Sequence, residues 1–372
     1  MSQSIAVTLA RVQRTAFLIS AAGGVLLALG FVLDRQRFFQ AYLVAFLFVL
    51  APAVGSLAFV MLHNLTGGAW GFAIKRLLEA ATRTLPFVAL LFVPIALGLH
   101  SLYEWSHDEV VAADPILQHK AAYLNWPFFL ARAVLYFALW TGLALFLARL
   151  SERYDKKLSL KALRKLKTVS GFGLAAYVLT TTFASFDWGM SLEPHWFSTI
   201  YGVHFLVGQG LSTLCLSILM AALLARHEPF SRWLSPAHFH DLGNLTLAFV
   251  MLWAYASLSQ FLIIWSGNLP EENVWYLKRT ADGWQALALL LVLGHFAAPF
   301  VILLVRSSKR NASVLARLAL ALLVMRFLDL YWLLGPAFHE GVFAPHWLDV
   351  VAPVTLGALW VGLFVRNLHG RP

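Results

Sequence analysis

The sequence predicts an all-α polytopic membrane protein of about ten transmembrane helices, and three observations carry that prediction. Of 372 residues, 60% are hydrophobic and only 12% are charged, with a mean hydropathy of +0.73. Apolar runs of roughly 20 residues, enough to cross a hydrocarbon core of about 30 Å, recur along the whole chain. Basic residues collect in alternate connectors, the pattern that topology imposes on membrane helices. A net charge of +10 would point to nucleic acid in a soluble protein. Here topology accounts for it, and nucleic acid is not an expected partner. The one cysteine, Cys215, lies inside a span. That excludes intrachain disulfides, CxxCH haem attachment and Cys-ligated iron–sulfur clusters.

Hydropathy sets spans near 14–33, 41–63, 84–104, 128–150, 168–187, 199–225, 242–265, 284–306, 312–334 and 348–368. The first follows Arg11 and Arg14, is long enough to span, and lacks a clear A-x-A cleavage site, so it reads as a retained helix. The 64–83 connector reads as an interfacial helix entered through Gly67 and Gly68; no Lys-Ser/Thr follows them, so a phosphate loop is discarded. Span 3 exits through His100, Tyr103, Glu104, Trp105, His107, Asp108 and Glu109. In 151–167, Leu158, Leu160, Leu163 and Leu166 interleave with Lys156, Lys157, Lys161, Arg164, Lys165 and Lys167. This suits a short amphipathic helix on an anionic leaflet, as a topology anchor or a docking surface for a soluble partner. Spans 5 and 6 meet through Asp187, Trp188, Glu193, His195 and Trp196, more ionisable groups than a plain turn needs.

Two exits share a pattern. Trp105-Ser106 is followed by Tyr123-Leu124-Asn125, and Trp265-Ser266 by Tyr276-Leu277-Lys278. An offset of four helices preserves orientation, so spans 2–5 (about 41–187) and 6–9 (about 199–334) would be parallel four-helix bundles, flanked by spans 1 and 10. An even span count puts both termini on one side. That side holds Arg11, Arg14, Lys75, Arg76, Arg83, the eight basic residues of 149–167, Arg226, Arg232, Arg306, Lys309, Arg310, Arg317, Arg366 and Arg371. The other has Arg35, Arg37, Lys120, Arg132, Lys278 and Arg279, so 21 basic residues face six and the termini are expected to be cytoplasmic.

An ionisable group inside a span is costly unless paired or facing water, so each is a candidate site. Arg326 and Asp329, three apart on span 9, can meet on one helical face. At similar depth lie Asp187, His204 and Gln260, with His295, Tyr255 and Tyr177 deeper. A chain from Asp241 through His295 to Asp329 and Asp187 would conduct protons; the alternative is a satisfied ion pair and a core histidine. In the first bundle His100, Glu104, Arg132 and Tyr136 lie near the outer face, where a quinone head group would find hydrogen bonds and a proton acceptor. Interfacial anchoring is the plainer reading of the same residues. No two histidines sit at matched depth for axial haem ligation, so bound haem is not expected.

The strings GGAWGFAIKRLLEAATRTLPFVALLFVPIALGL (67–99), FDWGMSLEPHWFSTIYG (186–202), FHDLGNLTLAFVMLWAYASLSQFLIIWSGNLPEE (239–272) and RFLDLYWLLGPAF (326–338) are long and unusual. Through them the chain resembles the ActF-type subunits of alternative complex III, the bacterial quinol:electron-acceptor oxidoreductase, within the NrfD/PsrC-like membrane subunits. The resemblance implies ten helices in two bundles, and assembly with an ActC-like sister subunit, an iron–sulfur protein and multihaem cytochromes. It also implies quinone or menaquinone nearby, with haems and iron–sulfur clusters held by the partners. The expected function is that of a subunit in the bacterial cytoplasmic membrane that shapes a quinone-accessible interface and conducts protons. A non-catalytic scaffold and a secondary transporter are the alternatives.

Overall fold

The computed structural model describes residues 3–156, 159–228, 230–339 and 342–368, so Lys157, Leu158 and Arg371 lie outside the described residues. Among the described residues every regular element is helical, and ten helices are long and apolar enough to cross a membrane. They are Ile5–Leu33, Arg35–Thr66, Ala69–Leu97, Trp126–Lys156, Leu160–Leu192, Tyr201–Leu224, Pro236–Gly267, Trp284–Leu304, Ala312–Phe338 and Leu348–Leu368, here spans 1 to 10. The protein is a multi-pass α-helical membrane protein. The side where spans 1 and 10 begin and end the chain is the terminal face; the opposite side is the far face.

Short polar residues turn the chain between spans. Asp34 alone separates spans 1 and 2, and its carboxylate accepts the Arg37 N–H at 2.9 Å. Asn311 opens span 9 by accepting from the N–H groups of Ser313 and Val314. Each cap satisfies donors that a helix start leaves without partners.

Spans 2 and 6 form the centre. Span 2 packs on spans 1, 3, 5, 6, 9 and 10, and 89% of its apolar window is buried, against 17% for span 1. Gly55 lets it meet span 6 backbone to backbone, because a Cβ there would strike the Gln209 carbonyl. Beside this contact Phe46, Phe92, Phe137, Trp140 and Trp188 pack edge to face and stacked, with Trp140 and Trp188 fully enclosed.

Two connectors differ from expectation. The 64–83 segment is not a separate interfacial helix: Ala69–Thr82 continues through right-handed residues Arg83 and Thr84 into Leu85–Leu90, so it belongs to span 3. Its apolar face (Ile74, Leu77, Leu78) is covered by protein rather than head groups, with span 2 its main neighbour. Span 3 then resets at Leu91 and Phe92, because Pro94 lacks an N–H for the Leu90 carbonyl, and again at Gly98. Nor does 151–167 form its own amphipathic helix. Spans 4 and 5 run to Lys156 and from Leu160, and the helix ends carry the basic residues. Asp155 pairs there with Arg76 at 3.0 Å.

On the far face 104–125 folds into short helical turns and is tied to the link between spans 5 and 6. His195 Nε2 meets Asp114 Oδ2 at 2.5 Å, and Lys120 donates to the Pro194 carbonyl at 2.5 Å. The hydrogen bond from His195 is the first cause holding the half-buried Asp114 carboxyl below its ordinary range.

Candidate functional site

The site builds outward from span 9. Arg326 Nη1 donates to Asp329 Oδ2, the i,i+3 pair that helical spacing allows. Asp329 Oδ1 accepts the indole N–H of Trp253, on span 7, at 3.2 Å. The Trp253 ring lies 4.1 Å from the imidazole of His295, on span 8. His204, on span 6, faces Gln260 and stands within electrostatic reach of Asp329 and Arg326. Val207, Leu291, Phe296, Leu328 and Trp332 wall the group with apolar surface.

Two backbone features make room. Gly208 presents bare backbone to Arg326, since a Cβ there would overlap the guanidinium. Residues Val292–Ala297, with His295 among them, form a π-helical stretch in span 8, which re-aims side chains within a helix and recurs at functional sites.

The cluster is under-satisfied. His295 is wholly buried, yet neither ring nitrogen has a protein hydrogen-bond partner. Gln260 Oε1 and Arg326 Nε are also without one. Each such atom costs about 1–3 kcal/mol when kept from water, so four in one place work against stability. Water is the small group that commonly serves such atoms. An ion pair, two imidazoles and an amide brought together can pass a proton. Among the described residues, no group of three or more His, Cys, Asp and Glu converges to hold a metal ion.

The proposed proton set therefore divides. His204, His295, Arg326 and Asp329 converge. Tyr255 does not: it is 70% exposed on the outward side of span 7. It lies two residues, about 200° of helix turn, from Trp253. Asp187 also lies elsewhere. Its Oδ1 takes Arg132 Nη2 at 2.8 Å, and its Oδ2 takes Arg132 Nε at 2.9 Å and the Tyr136 hydroxyl at 2.8 Å. The third Arg132 nitrogen, Nη1, donates to the Tyr123 carbonyl at 2.9 Å, with the Tyr123 and Phe128 rings over the guanidinium.

That arrangement also splits the proposed quinone set. Arg132 and Tyr136 are buried with Asp187, whereas His100 and Glu104 are exposed on the far surface, where His100 Nδ1 meets Ser106 Oγ at 3.1 Å. Asp241 sits beside His240 at the terminal end of span 7. Between it and His295, the terminal-side halves of spans 6–9 offer Cys215 and Arg317 as ionisable side chains and Thr213, Ser217 and Thr246 as hydroxyls.

Sequence reasoning also missed the ion pair Arg279–Glu193 at 2.6 Å, with Arg279 only 1% exposed. Arg279 reads as a far-face connector charge, and Glu193 as one of the ionisable groups crowding the link between spans 5 and 6. The nearby Trp196 and Trp275, stacked at 4.6 Å, were the available signal.

In comparison with known proteins, no family model matches the chain and no curated protein matches it significantly.

Proposed function

We propose that the chain is an integral membrane subunit of a quinol-oxidising electron-transfer assembly of the alternative complex III type, and that its second bundle carries a proton-transfer site. The assembly half rests on the likeness of the four strings to ActF-type subunits. The proton half rests on one observation: His295, unpartnered at both nitrogens, beside the Trp253–Asp329–Arg326 chain. A core histidine kept for packing alone would find a hydrogen-bond partner.

In this reading the membrane is the bacterial cytoplasmic membrane and the basic terminal face is cytoplasmic. The partners are an ActC-like sister subunit, an iron–sulfur protein and multihaem cytochromes, which carry the electrons. Arg132, Tyr136 and Asp187 use their donors and acceptors on one another, so we assign them to structure. Quinone contact by this chain would then fall to His100 and Glu104. That complete first-bundle network favours the second reading, a scaffold within the same assembly.

Two measurements test this. Purified in mild detergent, the chain is expected to bring haem absorbance with it; isolation alone or as a homo-oligomer would instead mark a transporter. In the intact assembly, Asp329→Asn is expected to lower quinol oxidation and proton release together. Unchanged turnover and proton stoichiometry would leave the scaffold.

A further inference from the structure

The polar groups that continue from the Asp329 cluster lead toward the far face. Tyr201, buried at the start of span 6, stands within electrostatic reach of Asp329 and also of Arg279 and Glu193. Gln260 faces His204 and Tyr276, and Tyr276 in turn lies near Arg279. Burial pushes the Tyr276 phenol up, so it stays a hydroxyl that can both donate and accept.

Arg279 lies on helix Pro270–Thr280, outside the spans. Its Nη1 donates to the Trp275 carbonyl at 3.0 Å, and its Nη2 to the Leu333 carbonyl at 2.7 Å and to Glu193 at 2.6 Å. The guanidinium lies 3.7 Å over the Trp275 ring, which stacks on Trp196, while Arg279 Nε has no protein partner. Glu193 also meets Lys278 at 3.4 Å and keeps 13% of its side chain exposed. Around this rim stand Lys120, held by the Pro194 carbonyl, and the His195–Asp114 pair.

We propose that the Asp329 cluster exchanges protons with water at the far face, through a port in which Glu193 is the exchanging group and Arg279 the fixed charge that plugs it. The inference rests on the proton-transfer reading above. A surface salt bridge has no reason to bury its arginine beneath two stacked indoles with one nitrogen unserved. A proton relayed outward through Tyr201 or Tyr276 makes Glu193 a neutral acid, which releases Arg279. The guanidinium keeps its two carbonyl bonds and stays in place. Glu193 then gives the proton to bulk water, and the ion pair closes again. No electron moves, and the fixed positive charge opposes entry of metal cations.

Thiol labelling locates the port without any quinol. Cys215 is the chain's single cysteine. In the intact assembly in vesicles, a chain carrying Cys215→Ala and Gln260→Cys is exposed to a membrane-impermeant cationic thiosulfonate from either side, and labelling of this chain is read by mass. Labelling from the far face is expected, accelerated about tenfold by Arg279→Ala, which removes a charged, hydrogen-bonded plug. Arg279→Lys, which loses the forked contacts, carries the same expectation if the alanine variant fails to assemble. Labelling mainly from the terminal face, or a rate indifferent to both variants, overturns the port. Glu193→Gln, with Cys215 and Gln260 intact, is expected to slow far-face proton release about tenfold, at the low end of general acid–base effects. Unchanged release removes Glu193 from the exchange. Turnover that persists while the far face fails to label sinks this inference alone; far-face labelling in an assembly without quinol turnover sinks only the quinol-oxidation reading.

Discussion

Asp187 and Asp329 are both buried acids within helices, and their surroundings are opposite. Asp187 receives three hydrogen bonds, and the arginine that gives two of them spends its next donor on the Tyr123 carbonyl while the Tyr123 and Phe128 rings cover its guanidinium. Asp329 receives one arginine nitrogen and one indole, and the atoms beside it on Arg326, Gln260 and His295 have no protein partners. A network in which each nitrogen and oxygen of the ion pair is hydrogen-bonded holds helices together. One left incomplete at a cost in stability is better explained by what it must do.

Breaking the complete network has the largest expected effect. Asp187→Asn strands a buried arginine and is expected to cost about 3–5 kcal/mol, read as a lower thermal midpoint in detergent. The double variant Asp187→Leu with Arg132→Met should recover most of that loss. If it does not, Asp187 does more than hold spans 4 and 5 together. Next comes Gly208→Ala, whose new methyl meets the Arg326 guanidinium. About 1–3 kcal/mol is expected, with proton release disturbed more than the fold. His295→Leu should leave stability unchanged or raise it by about 1–3 kcal/mol, because it removes two polar atoms that no protein group serves. Proton release should fall all the same. A large destabilisation would mean His295 is a structural residue like Asp187.

The smallest effect is a control outside both clusters. Arg37 donates to the His339 imidazole at 2.5 Å, and burial, then the charge of Arg37, hold His339 below its ordinary 6.5. The folded state prefers the neutral ring. Its contribution is therefore complete above pH 6.5 and is lost as pH falls below that value. The ring is half-buried and screened, so less than about 1 kcal/mol is expected. His339→Gln should flatten this part of a thermal-midpoint profile between neutral and mildly acidic pH.

The spans were legible because about 20 apolar residues in a row admit few other readings. The Arg326–Asp329 pair was legible because its partners are three residues apart. The partner of Asp187 was not: Arg132 lies 55 positions away on another span, and only packing of spans 4 and 5 decides that they meet. The exposure of Tyr255 was there to be read, since helical geometry turns it away from Trp253 and Gln260. The Arg279–Glu193 pair joins two connectors 86 positions apart, and nothing within either one names the other as its partner. The connectors misled for one reason. An amphipathic stripe says that one side seeks apolar cover, not whether lipid or span 2 supplies it.

Span 2 is almost entirely hidden inside the finished protein, yet its hydropathy of 2.5 is among the highest of the ten. Several of the helices that hide it, spans 6, 9 and 10, are synthesised more than a hundred residues later. During that interval its greasy surface meets acyl chains, which it will later lose. Its leucines and phenylalanines thus answer to two masters in turn, membrane insertion first and shape complementarity afterwards. Glycine, alanine and proline within it, at Gly55, Ala53 and Pro52, reflect the second demand alone.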